Sequence, residues 1–218
     1  FVIPGGKVEP LSNGTGLYVH HPVKAGKGYY AVTVVVDGRE NTIVGDAGTA
    51  GPVDEKPGDG TPVFQREMDM EVLFDYAGRR LQYVRWAAPP MSNVPNRYHN
   101  WSVFVPDGVE LPARVELVLT GNDMFRRPRW PHRLDTIMIS PLDRAAGSDG
   151  REFSTAYYGH HESRGTLRSM KQGAIHPYTW RRMLAFVEWV VTDLKLNRSQ
   201  DGPAGDRHAD ACTGDRGL

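Results

Sequence analysis

The sequence predicts an α/β fold with a β-rich front half, preceded by a partial β-sandwich module. Three observations carry this. Short runs of β-branched and aromatic residues, separated by turn residues, recur from Gly16 to Ile139. A stretch of period 3.6 follows them: Met183, Phe186, Val187, Val190, Val191 and Leu194 fall at i, i+3, i+4, i+7, i+8 and i+11, one face of a helix. Between the two lies a polar, aromatic loop in which Tyr157, Tyr158, His160, His161 and Glu162 gather beside Gly159 and Gly165. Strands first and then a helix make the pattern of a sheet that a helix covers.

Taken in order, Gly16–His20 and Gly28–Val36 read as strands, the second closed by the hairpin signal Asp37-Gly38 before Arg39–Val44. These make residues 1–46 a partial β module. The following stretch is dense in Gly, Pro and Asp, and residues 47–62 read as a linker. A second β region opens with Met68–Phe74 and Gln82–Trp86 flanking a turn over Tyr76–Arg80, and Pro89-Pro90 stops it. Trp101–Pro106 ends at Asp107-Gly108, Ala113–Thr120 ends at Gly121-Asn122-Asp123, and Leu134–Ile139 is closed by Ser140-Pro141. Pro177 suits the first turn of the helix, where no backbone donor is needed. Arg181, Arg182, Glu188 and Asp193 fall on its other faces and are expected to be wet. Residues 63–196 form the main domain. The tail, 197–218, holds Thr213 as its only β-branched residue and reads as a disordered or non-native end.

Composition narrows the function classes. Lys+Arg and Asp+Glu both number 26, so the balanced charge gives no footprint for nucleic acid or an anionic membrane. Cys212 stands alone, which excludes an internal disulfide framework and a cysteine zinc cluster. No apolar run approaches the roughly eighteen residues of a membrane span. The start at Phe1-Val2-Ile3-Pro4 reads as processed or truncated, not as a signal peptide.

The order of elements becomes specific in its second half. A hairpin is followed by a strand ending in Val105-Pro106-Asp107, then by a strand with a Gly-containing turn and by another strand. After these come YYGHHESRGT (157–166) and PYTWRRMLAFVEWV (177–190). This resembles a bacterial secreted α/β-hydrolase of the esterase or peptidase type, most closely over 157–192. The run Tyr29-Tyr30-Ala31-Val32-Thr33 with its short turn resembles the late strands of a fibronectin type III-like module. The resemblance implies a serine hydrolase acting on ester or amide bonds of a small ester or a peptide- or carbohydrate-linked substrate. It also implies a secreted or periplasmic location and no cofactor.

Such an enzyme presents its serine on a G-x-S-x-G turn between strand and helix. The chain has no such string, and after Leu196, where the resemblance expects the elbow, the polar tail follows. A truncated hydrolase joined to a foreign end is the expectation. The nearest string, Ala146-Gly147-Ser148-Asp149-Gly150, makes Ser148 the candidate nucleophile, although no helix-forming run follows it. The resemblance also implies that Gly121 and Asn122 supply oxyanion-hole amides, and that Tyr157, Tyr158, His160, His161 and Glu162 border the substrate.

Two alternatives stand beside this. His160, His161 and Glu162 carry the right donors for a divalent transition metal, with His132 and His176 near in sequence. Adjacent histidines on an extended chain point to opposite faces, however, so at most one joins a given cluster. The other alternative is a non-catalytic β-rich module that binds carbohydrate or protein, with Trp86, Trp101, Trp130, Tyr157 and Tyr158 as an aromatic platform; in β-rich domains such residues are more often core. An exposed half-sheet edge favours self-association, so a homodimer is expected.

Overall fold

The computed structural model describes residues 12–58, 60–68, 78–119, 135–141, 145–146, 152–153, 159–164 and 166–192. It divides into two compact units, residues 20–59 and the remainder.

The unit 20–59 is made of two antiparallel pairs. Strand β1 (Gly26–Ala31) pairs with β4 (Thr49–Glu55), and β2 (Val34–Val36) pairs with β3 (Arg39–Asn41). The turn joining β2 to β3 is the expected Asp37-Gly38, and both residues have positive φ, 48° and 74°, as a tight hairpin turn requires. The run predicted as one strand over 28–36 breaks after Ala31, where the Val32 N–H donates to the Gly48 carbonyl at 2.9 Å. The stretch read as a linker contains β4. Its Gly51 has φ +137°, and a Cβ there would lie 2.9 Å from the Gly28 carbonyl oxygen. Glycine there serves close strand approach rather than looseness. The Tyr30 hydroxyl donates to the Glu55 carboxylate and fastens β1 to β4.

The run predicted as a strand over Gly16–His20 is not one, and all of it but His20 belongs to the other unit. The Val19 N–H donates to Asn96 Oδ1 at 2.8 Å, so a side chain holds this segment rather than a ladder. The centre of the unit is a five-stranded sheet of β5 (Val63–Met68), β6 (Gly78–Ala87), β7 (Arg97–Pro106), β8 (Arg114–Leu117) and β9 (Thr136–Pro141), in the order β5-β6-β7-β9-β8. All neighbours are antiparallel except β8 and β9, which are parallel. The sheet is therefore mixed, and the chain as described is β-rich. Two-residue pairs follow: β10 (Ala145–Ala146) with β11 (Glu152–Phe153), and β12 (His160–His161) with β13 (Ile175–His176). Helix α1 (Tyr178–Thr192) comes last, with the Arg181 N–H donating to the Pro177 carbonyl as its first bond.

Alternation along β6, β7 and β9 sends Leu81, Tyr83, Trp101, Val103, Val105, Ile137 and Ile139 to one face, where they meet Met183, Phe186 and Val190 of α1. Phe186 stacks on Trp101 with ring centres 4.0 Å apart and planes within 4°, while Tyr83 meets it edge-on at 6.2 Å. Trp86 and Trp101 are thus core, not a binding platform. The opposite face buries Val84, Trp86, Phe104 and Met138 beside polar pairs: Arg66 Nε donates to Gln82 Oε1 at 2.8 Å and Arg80 Nε to Ser102 Oγ at 3.0 Å.

The helix differs from expectation at two positions. Val191 is 64% exposed, and the helix residues buried in the core are Met183, Phe186 and Val190. Arg182, expected to be wet, is 4% exposed. Its Nη1 donates to the Met91 carbonyl at 2.8 Å and its Nη2 to Thr179 Oγ1 at 3.0 Å. Its charge is buried because these oxygens meet it. Leu194 and the tail lie outside the described residues, as do 69–77 of the first predicted hairpin.

Candidate functional site at the carboxyl edge of the sheet

Register decides which strand ends meet. Ala87, ending β6, lies opposite Arg97, which begins β7, while Pro141, ending β9, lies opposite Trp101. Leu117, ending β8, pairs with Ile139 in parallel. The carboxyl ends of β6, β8 and β9 therefore open on one edge. The amino end of α1 reaches the same edge, since Arg182 in its second turn bonds to Met91 in the β6–β7 connection. Because β9 is inserted between β7 and β8, the chain reverses its order across the sheet.

The connections leaving this edge carry several of the sequence candidates. Gly121 and Asn122 lie in the connection after β8, and Ser148, Tyr157 and Tyr158 in the connection after β9; all five are outside the described residues. Ser148 falls in the stretch that joins β10 to β11. Its flanks are strand and strand, whereas a nucleophile elbow is flanked by strand and helix.

His160, His161 and Glu162 are described. In the β12–β13 hairpin, His160 lies opposite His176 and His161 opposite Ile175. His160 and His176 therefore share a face, Glu162 returns to it two residues on, and His161 turns to the other. His176 Nε2 stands 3.6 Å from Glu162 Oε2, and its ring stacks on Tyr178, the first residue of α1, at 5.2 Å. The His160 ring is 6.1 Å from the same tyrosine. Partial burial, followed by the charge of Arg164 and the neighbouring His176 and His161, lowers the His160 pKa from its ordinary value. His161 Nδ1 accepts the Ser163 N–H at 3.1 Å, and the buried Ser163 hydroxyl donates to the Gln172 carbonyl at 3.2 Å. Both have structural work in closing the hairpin. Gly173 has φ +116°, and a Cβ there would stand 2.7 Å from Glu162 Oε1, so this glycine makes the seat for the carboxylate.

The metal alternative meets a geometric obstacle. Among the described residues, no three or more His, Cys, Asp or Glu side chains are placed to hold a metal ion. His160 and His161, being adjacent on a strand, cannot converge. No helix among the described residues is long and apolar enough to cross a membrane.

One group at this edge escaped the reading of the sequence. His99 on β7 is 3% exposed, and neither ring nitrogen has a hydrogen-bond partner among the described residues. It lies opposite Arg85, itself buried, and two residues after Arg97 on the same face. Burial, then the charges of Arg182 and Arg97, hold its pKa well below the ordinary histidine value. The signal was present: His99 precedes Trp101 by two, so strand alternation puts it on the core face.

Comparison with known protein families, curated proteins and solved structures finds no match to this chain.

Proposed function

We propose that the chain is a hydrolase of the serine esterase or peptidase type, acting on ester or amide bonds from the carboxyl edge of its sheet. The observation that carries the reading is the crossed strand order. It sets the parallel pair β8 and β9 in an otherwise antiparallel sheet and opens their carboxyl ends on one edge. The element order agrees: hairpin, strand ending Val105-Pro106-Asp107, strand, crossover to a parallel strand, histidine hairpin, helix.

In this reading the sheet and α1 form a rigid support, and the connections after β8 and β9 hold the reacting groups. Backbone N–H groups at Gly121 and Asn122 stabilise the oxyanion formed when a carbonyl is attacked. Ser148 is the serine tested first as nucleophile. The histidine hairpin, packed against Tyr178 at the start of α1, borders the substrate.

The test is turnover of a short-chain p-nitrophenyl ester by the purified chain, with and without a chelator. Turnover that resists the chelator and vanishes in Ser148→Ala supports the reading. A folded chain with no turnover, or turnover that the chelator removes, overturns it.

A further inference from the structure

Helix α1 carries a second apolar stripe that its packing on the sheet leaves open. Its residues buried in the core, Met183, Phe186 and Val190, follow one line along the helix. Trp180, Leu184, Val187 and Val191 follow another, at spacings of four, three and four, about 100° further around the axis. Trp180 is 40%, Leu184 65% and Val191 64% exposed, while Val187 lies where the stripe borders the core. This spacing is the seam of a helix pair, in which apolar side chains enter holes on the facing helix. Single exposed apolar residues need no explanation, but a contiguous line of them marks an interaction site. Along the flank away from the core run Arg181 and Glu188, both exposed and about 10 Å apart along the axis. Arg181 Nη1 reaches the Pro90 carbonyl at 3.5 Å, the outer limit of a hydrogen bond. Glu188 has no ion pair among the described residues.

We infer that this stripe is a self-association surface, on which α1 of a second copy of the chain docks antiparallel. The charges select this occupant and this direction. Turned end for end about an axis between Ala185 and Phe186, a second copy sets Trp180 against the partner's Val191 and Leu184 against the partner's Val187. The same operation brings Arg181 within about 3 Å, along the axis, of the partner's Glu188. By symmetry Glu188 meets the partner's Arg181, so two opposite-charge pairs close one flank of the seam. A parallel copy sets this charged flank against the partner's core-facing side and makes no such pair. Trp180 supplies a large aromatic anchor, the residue type that dominates interface energies. One helix of 15 residues offers less than the roughly 800 Å² per partner of a standard interface, so a weak dimer, dissociating in the micromolar range, is expected. The surface requires no nucleophile and does not depend on the hydrolase reading.

The experiment is sedimentation velocity on the full chain from low to high micromolar concentration. A reversible monomer–dimer equilibrium is expected. Leu184→Glu, at an exposed position, should fold, as judged by circular dichroism, and raise the dissociation constant at least tenfold. Arg181→Glu and Glu188→Arg should each raise it severalfold, because each sets like charges together across the seam. The double variant, which exchanges the two charges, should restore the parent's affinity. A chain that stays monomeric across the range overturns the inference, as does a dimer that Leu184→Glu leaves intact. A dimer weakened by Leu184→Glu but indifferent to both charge reversals overturns the antiparallel arrangement.

Discussion

Replacing Phe186 with alanine tests the joint on which the candidate site rests. Phe186 is 0% exposed, lies face to face with Trp101 at 4.0 Å, and meets Tyr83 and Trp189 at 6.2 and 5.4 Å. Truncating a fully buried phenylalanine costs about 3–5 kcal/mol, from lost transfer energy and the cavity left behind. The aromatic contacts carry about 1 kcal/mol beyond burial, which places the expected loss in the upper half of that range. Domains of this kind have about 5–15 kcal/mol in total, so a large share disappears. Urea unfolding followed by tryptophan fluorescence reads the change, because the stacked partner is itself a tryptophan. Phe186→Leu, which keeps most of the volume, should cost about 1.5 kcal/mol or less. A loss under about 1 kcal/mol for Phe186→Ala would mean that α1 is not packed on the sheet through this ring, and the edge built on that packing would fall with it.

Three further outcomes follow from single contacts. His99 titrates below its ordinary value of about 6.5 when folded, so the unfolded chain takes up the proton first as pH falls. Its contribution is whole above that value and is lost below it, at up to about 1.4 kcal/mol per pH unit; urea midpoints at pH 7.5 and 5 should differ less in His99→Phe, and an equal difference refutes this. Gly173→Ala places a Cβ 2.7 Å from Glu162 Oε1 at φ +116°. It should cost about 1–3 kcal/mol in thermal unfolding and move Glu162 away from His176. Arg182→Lys keeps the charge but loses the fork that spans Met91 and Thr179, and a denaturant titration should show a loss of about 2 kcal/mol.

What the sequence made legible is what local chemistry decides. Asp37-Gly38 is a turn because both residues accept positive φ, and α1 is a helix because Met183, Phe186 and Val190 recur on one stripe. The rest depends on partners far along the chain. Arg182 looked solvated because its acceptor, Met91, is 91 residues away. Strand β4 looked like a linker because Gly51 and Pro52 are loop residues in isolation; only the approach of Gly28 explains the glycine. The insertion of β9 between β7 and β8 leaves no trace in either strand's own pattern, yet it creates the edge where the site is proposed. Within that site, the pairing of His160 with His176 rather than with His161 follows from period-2 geometry, which the sequence does show. The burial of His99 depends on the neighbouring strand, which sets Arg85 opposite it.

The most direct test of the hydrolase reading is labelling of the purified, folded chain with a serine-directed phosphonate, with the adduct mapped by mass spectrometry. The account predicts one stoichiometric adduct at Ser148, in the connection that leaves the carboxyl end of β9, and its loss in Ser148→Ala. A folded chain that takes up no phosphonate, or takes it up at serines away from that edge, contradicts it.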